Sequence, residues 1–381
     1  MTMLKFSDIG ILADDLTGAC DAAACFAPGN GPVAVLVSRE HRDVRSVIRT
    51  VINTQSRLMK PEEARAVLRS LGKQLSGKQV IFKKIDSALR GPVGAELAGL
   101  IEGLGERTII LAPTIPGIGR TTKDGFIYDS GVPIHQTPYA GDAVSPFDFA
   151  HIEQILSLTG EIRCEIPDAE SDEDMRRIVE QSLRNIPVVF AGSIGLADAL
   201  ARMVEFNRWE APARPAGRVA IVCGSFYSRA REQIQAAADH FGTHVLAVGG
   251  TTPVNSRIIH QEKELPVIIR LNYNGIEQDR MPSGFISIIT GKVSEMIREI
   301  KPDGLGIIGG ETAFHLLRSL GTTRMDVYDR IGEVMTCGIL YDGFLTGCRF
   351  VTKGGSVGST DAVVRMIHHL KGAVKNSISF R

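Results

Sequence analysis

The chain has 381 residues, 44% of them apolar and 23% charged, and its 43 Lys plus Arg balance 43 Asp plus Glu, so it carries no formal net charge. Two domains are expected for that length; the charge balance argues against a dedicated nucleic-acid surface, and no apolar run reaches the ~20 residues that span a bilayer. Asp8, Asp14 and Asp15 interrupt the opening segment, so it does not read as a signal peptide, and the six cysteines form no CxxC pair, which favours reduced cytoplasmic thiols over a structural zinc site.

Residues 6–13 (FSDIGILA) predict a first strand, with DDLTGACDAAACFA as the turn and helix that follow. PVAVLVS at 32–38 predicts a strand, and SVIRTVINTQSR at 46–57 contains another extended run. PEEARAVLRSLGKQL predicts a helix, because Pro61 and two acids occupy its first turn. QVIFKKIDSALRG then predicts a strand ending in charged residues, VGAELAGLIEGLG a helix, RTIILAPT a strand, and PGIGRTTKDG a long polar loop. A helix around 174–184, a strand at 187–193 and a helix in GLADALARMVE lead to NRWEAPARPAGR, residues 207–218, whose prolines and weak periodicity mark a linker.

A second series follows, with VAIVCGS as strand, REQIQAAADHF as helix and HVLAVGG as strand. Then come GFISIITG, a helix near 291–299, GLGIIGG, ETAFHLLRSLG, a strand-rich stretch with TCGILYDG and CRFVTKGG, a last helix and a mildly basic tail. Strands alternating with helices predict an α/β protein with two α/β domains and mostly parallel sheets, residues 1–206 and 219–381, joined by the linker 207–218.

Functional residues of a parallel α/β sheet collect at the carboxyl ends of strands. Asp14 and Asp15 meet that condition, as a general base toward a substrate hydroxyl and a hydrogen-bonding partner, or more plainly as a helix N-cap beside a solvated acid. KKIDSALRG adds Lys83, Lys84, Asp86, Ser87 and Arg90 after another strand; Arg90 can hold a carboxylate bidentately while Asp86 orients a hydroxyl. Ser56 and Arg57 end a third strand, and Arg120 with Thr121 lies on the loop expected at PGIGRTTKDG. Three arginines near one rim would make an anion pocket for a small hydroxylated acid.

Glycine clusters mark the second half. GGETA at 309–313 lies between a strand and a helix expected to start near Glu311 or Thr312, where backbone N–H groups can receive phosphate. KGGSVGSTDA at 353–362 and GSFYSRAREQ at 224–233 are two further candidate cradles. None matches the P-loop or the dinucleotide fingerprint. The expected molecule therefore has a substrate domain followed by a nucleotide domain, with no nucleic-acid or membrane partner and a homodimer allowed. The histidines show no metal-ligand spacing.

In combination, ILADDLTGACD, KKIDSALRG, APTIPGIGRTTKDG followed by GVPIH, GGETA and VTKGGSVGSTDA resemble the four-carbon acid sugar kinase family along essentially the whole chain. That resemblance implies an N-terminal domain that binds the acid, a C-terminal domain that binds ATP with Mg2+, and phosphorylation of the terminal hydroxyl of threonate, erythronate or a 3-oxo-tetronate. It places the family's acidic pair on Asp14 and Asp15, of which Asp15 is read as catalytic base with Asp14 in support, and puts Ser56, Arg57, Asp86 and Arg90 around the acid, to which the charged strand end and the loop add Lys84 and Arg120. It implies Ser225, Gly309, Gly310, Glu311, Thr312, Lys353, Gly355 and Gly358 around the nucleotide, and it assigns no metal ligand.

The chain departs from the family pattern at four places. In the family's GSCSxxTxxQ, which aligns with residues 224–233 and closes on Gln233, the second serine is Tyr227 and the threonine Ala230; Val357 stands at an aromatic position. Thr336 and Cys337 replace a Pro-Gly that follows the glutamate matching Glu333, and AGDAVSPF replaces an Arg-Asp-Pro loop after GVPIHQT. Three of these departures fall in the half that the resemblance assigns to ATP; a noncatalytic acid-sugar sensor with a degenerate nucleotide site is the alternative.

Overall fold

Short valine- and isoleucine-rich runs that are buried from end to end supply most of the strands, the pattern of a parallel sheet covered on both faces. The structure, a computed structural model, describes residues 3–28, 31–38, 49–137, 139–140, 148–160, 162–205, 215–249, 265–273, 284–332 and 334–372. The chain divides into two compact units, Met1–Arg208 and Trp209–Arg381. Most of the stretch expected as linker (207–214), the AGDAVSPF loop from 141 to 147, Glu333 and the basic tail from 373 lie outside the described residues.

The first unit begins β1 (Ile9–Ala13), α1 (Leu16–Phe26), β2 (Val33–Leu36), β3 (Thr50–Asn53), α2 (Pro61–Leu75), β4 (Val80–Lys84), α3 (Val93–Leu104) and β5 (Thr108–Ala112). A small antiparallel sheet follows, made of β6 (Arg120–Lys123), β7 (Phe126–Asp129) and β8 (Val132–Pro133), and then α4 (Ile152–Ser157), α5 (Asp172–Ser182), β9 (Val188–Gly192) and α6 (Ile194–Ala201). The strands of the large sheet run β2-β3-β1-β4-β9-β5 within this unit, every neighbour parallel. Leu12, Ile52, Ile81, Leu111 and Val189 from these strands pack with Leu68 and Leu97 from α2 and α3. The register fixes what comes next: Ala13 pairs with Asn53 on one side and Lys84 on the other, so the chain leaves β1, β3 and β4 at one level.

PGIGRTTKDG is not the polar loop expected. It contains β6, which turns into β7 through Asp124 and Gly125, both in the left-handed region at φ 51° and 75°. Two consecutive left-handed residues are what a two-residue hairpin with strand-matched twist requires. Arg120 is therefore a strand residue, 1% exposed.

The second unit holds β10 (Val219–Cys223), α7 (Ser228–Phe241), β11 (Val245–Val248), β12 (Val267–Leu271), α8 (Phe285–Ile300), β13 (Gly304–Ile308), α9 (Gly310–Ser319), β14 (Arg324–Ile331), β15 (Met335–Leu340), β16 (Arg349–Lys353) and α10 (Ala362–Leu370). Its order is β11-β12-β10-β13-β16-β15-β14, parallel as far as β16 and antiparallel beyond. GFISIITG belongs to α8, which starts earlier than the expected helix near 291. Cys223 pairs with Ile308 and Ile308 with Lys353, so again three chain turns leave the sheet together. Among the described residues no helix is long and apolar enough to cross a membrane. None of the six cysteines is in a disulfide.

Candidate functional site

At the rim of the first unit, Asp15 is the N-cap of α1, and its Oδ1 accepts the Gly18 N–H at 2.6 Å. The plain helix-cap reading is thus part of the answer, but its companion is not solvated: Asp14 is 1% exposed. Arg57, carried past the end of β3, donates from Nε and Nη2 to the two oxygens of Asp14 at 2.8 and 2.9 Å, and from Nη1 to Asp15 Oδ2 at 2.5 Å. The same Nη1 lies 3.9 Å from Asp86 Oδ2. Asp86, just beyond β4, holds Arg90 in a fork at 3.0 and 2.6 Å and accepts the Ala88 N–H at 2.9 Å. Five of the residues singled out in the sequence are therefore one ion-paired network.

The other three stand differently. Lys84 is buried and donates to the Ile85 carbonyl at 2.8 Å. Arg120 reaches Ser87 Oγ at 3.1 Å, lies 3.4 Å from Asp129 Oδ1 and stacks 4.6 Å over the Tyr139 ring. Ser56 is completely buried, its hydroxyl engaged by Thr54 at 2.6 Å and by Glu96 of α3. Glu96 was missed in the sequence; the signal was a lone acid in the otherwise apolar and glycine-rich run VGAELAGLIEGL. Lys83, beside it, is also fully buried, 3.1 Å from Glu96 Oε2. The three arginines expected to form an open anion pocket are each already faced by a carboxylate, because a buried guanidinium without a counter-charge is costly.

These surroundings push the two aspartates apart. Burial works to raise the Asp14 carboxyl, but the Arg57 guanidinium and the Lys83 and Lys84 ammoniums outweigh it and hold it below the ordinary value. For Asp15 burial wins, helped by the charge of Asp14 and opposed by Arg57, and the carboxyl sits above the ordinary value. Burial likewise opposes ionisation of Asp86, yet Arg90 and Arg57 hold it well down. A matched pair with divergent proton affinities is the arrangement that separates a base from a permanently charged neighbour.

In the second unit the three turns leaving β10, β13 and β16 approach one another closely. A Cβ on Gly355 would lie 1.9 Å from Ser225 Oγ, so only glycine lets that backbone pass. Gly309, the N-cap of α9 at φ 109°, carries no side-chain cap, and Gly310, Glu311 and Thr312 form the first turn, with Glu311 Oε2 3.6 Å from His315 Nε2. The helix starts a residue before the position expected. Lys353, 1% exposed, donates to Gln233 Oε1 at 2.8 Å and to the Gly354 carbonyl at 2.6 Å, and burial brings its pKa down to about 8, against the opposing pull of Cys223. The Gln233 amide nitrogen faces the carbonyls of Val357, Gly358 and Ser359 at 3.1, 3.0 and 2.8 Å, pinning the glycine-rich loop to α7. Gln233 aligns with the last residue of the family motif but reads as an ordinary helix residue without it. Tyr227 stands 41% exposed at the N-cap of α7, and Phe226 stacks at 4.0 Å on Tyr273, whose hydroxyl donates to the Gly224 carbonyl.

Residues 9–165 match the family model of the sugar-binding N-terminal domain. The chain is 28% identical to a D-threonate kinase of Bordetella bronchiseptica, over 94% of this chain and 96% of that one. It is 24% identical to a D-erythronate kinase of Heliobacterium modesticaldum, over 97% and 98%. A Salmonella typhimurium protein of known structure shares the fold with a TM-score of 0.72 at 18% identity, over 94% and 98%. The matched domain and these near full-length likenesses make the chain similar to the kinases of four-carbon sugar acids.

Proposed function

We propose that the protein is an ATP-dependent kinase that phosphorylates the terminal hydroxyl of a four-carbon sugar acid such as threonate, erythronate or a 3-oxo-tetronate. The observation that carries this reading is the Asp14–Asp15 pair locked on Arg57 with divergent proton affinities. It is supported by relatives named for kinases of such acids along nearly the whole chain.

In this reading the first unit takes the acid. Asp15, the aspartate with the raised proton affinity, orients the acceptor hydroxyl and takes its proton, while Asp14 stays charged and keeps Arg57 in place. Arg57, Arg90 and Arg120 share their N–H groups between their own carboxylates and the substrate carboxylate. The second unit takes the nucleotide. The first-turn backbone of α9 at Gly310 and the close-passing backbone at Gly355 and Gly358 suit phosphate oxygens, while the Gly309 N–H is taken by the Lys353 carbonyl at 3.1 Å. Bound ATP with its magnesium ion supplies the phosphoryl group and offsets its charge. Among the described residues no group of three or more histidine, cysteine or acidic side chains is placed to hold a metal; in this reading the ion is held mainly by phosphate oxygens and water.

The test is to incubate the protein with Mg-ATP and a panel of both threonates, both erythronates and 3-oxo-tetronate, and to weigh the products. A phosphorylated acid is expected, and Asp15→Asn should lower kcat at least about a hundredfold. No product together with no nucleotide binding would sink the reading in favour of a noncatalytic acid-sugar sensor.

A further inference from the structure

Behind the aspartate rim lies a buried chain of oxygen atoms that the mechanism above does not use. Glu96 Oε1 on α3 contacts Ser56 Oγ; Ser56 Oγ lies 2.6 Å from Thr54 Oγ1; and Thr54 Oγ1 lies 2.8 Å from the Ala13 carbonyl at the end of β1. Ser56 and Thr54 are completely buried and Glu96 is 1% exposed. Each of the three contacts needs a hydrogen between its oxygens. The carbonyl of Ala13 has none to give, and the two hydroxyls supply one each. A third proton is required, and Glu96 is the only member of the chain that can carry it.

We infer that Glu96 is a neutral carboxylic acid in the resting protein, donating to Ser56, which donates to Thr54, which donates to the Ala13 carbonyl. Burial acts in the same direction and outweighs the rest, raising the proton affinity of Glu96; the Lys83 charge on β4 opposes it, the Asp14 charge supports it, and the Ser56 and Lys83 hydrogen bonds oppose it. These are the charged groups that face Glu96 from the packed strand ends, and Ser56 and Thr54 are its neutral neighbours. Glu96 is thus a positioning residue. It ties α3 to the turn that carries Arg57, and it leaves Asp14 as the counter-charge on which the buried Lys83 ammonium acts.

This has a consequence for the substrate. With Glu96 neutral and the aspartates ionised, Asp14, Asp15 and Asp86 face Arg57, Lys83, Lys84 and Arg90, so the rim holds one cation in excess. One excess cation is the complement of a single substrate carboxylate. That link rests on reading the rim as the acid site; the protonation of Glu96 does not.

The experiment compares the full-length protein with Glu96→Gln, Glu96→Leu and Ser56→Ala. Glutamine is neutral and keeps an N–H donor toward Ser56, so Glu96→Gln should melt within about 2 °C of the wild type, while Glu96→Leu and Ser56→Ala, which break the chain, melt well below it. The infrared difference between wild type and Glu96→Gln at neutral pH should contain the carbonyl stretch of a protonated carboxyl group. The acidic limb of kcat/KM against pH should coincide in the two proteins, since no charge has been removed. A carboxylate band in place of the acid band, failure of Glu96→Gln to fold, or an acidic limb displaced by about one pH unit would each overturn the inference. The infrared and melting measurements use no substrate. If they succeed while every acid fails as acceptor, the kinase reading falls and the protonated Glu96 stands.

Discussion

Asp86 serves two arginines at once, forking Arg90 and lying 3.9 Å from Arg57, and this gives its removal a definite pH signature. Its carboxyl is held below its unfolded value of 3.8, despite burial, by Arg90 and Arg57. A group whose folded pKa is lowered contributes stability that is present above the unfolded pKa and lost as pH falls through the folded one. Asp86→Asn should therefore cost about 1–3 kcal/mol near neutrality, since Arg90 and Arg57 lose one of the charges that face them. Urea unfolding of both proteins at a series of pH values should show the gap narrowing below about pH 4. A gap that stays constant with pH would mean that the asparagine acts by shape alone. Asp14, Asp15, Asp86 and Arg90 could be picked out in the sequence because charged residues directly after apolar runs stand out. That Asp86 and Arg90 hold each other could not, because four-residue spacing outside a helix implies no contact.

Turns decide the chemistry at the next scale up. Gly355 passes so close to Ser225 that a methyl group would overlap its hydroxyl, and the glycine-rich loop is held from the other side by the Gln233 amide. Gly355→Ala should raise the KM for the nucleotide at least about tenfold, because the loop must shift to admit the new carbon. Pairing it with Ser225→Gly should recover part of that loss; an unchanged nucleotide KM in Gly355→Ala would remove the loop from the phosphate site. The elements were readable where strand and helix alternate with clear punctuation, as from β1 to β5. They were not readable at β6–β8, where RTTK is polar and short. The Asp-Gly pair at 124–125 was a hairpin signal in plain sight, outweighed by the polarity around it. Gln233 was obscured for the opposite reason: a glutamine on an amphipathic helix reads as surface, yet this one is fully buried.

For the molecule as a whole, the alternation of strands and helices carried the α/β class, while the register that brings Ala13, Asn53 and Lys84 to one level is a long-range pairing that no local pattern contains. The same holds for Cys223, Ile308 and Lys353. Lys353 also ties the protein to its solvent. Its folded pKa, about 8, lies below the unfolded 10.5, so the buried ammonium weakens the folded form below about pH 8 and that penalty is relieved as pH rises between the two values. An anion arriving beside it favours the charged form, and the missing proton must come from water. At about pH 8 the binding of nucleotide should thus take up a fraction of a proton, and at about pH 6 almost none. Titration calorimetry in buffers of different ionisation enthalpy reads this directly: the apparent binding heat should vary with buffer at the higher pH only, and not at all in Lys353→Gln. Equal slopes at both pH values would place the phosphates away from Lys353. If the proposed nucleotide site is right, the lysine makes affinity for the nucleotide a function of alkalinity, with a proton as an unwritten third reactant.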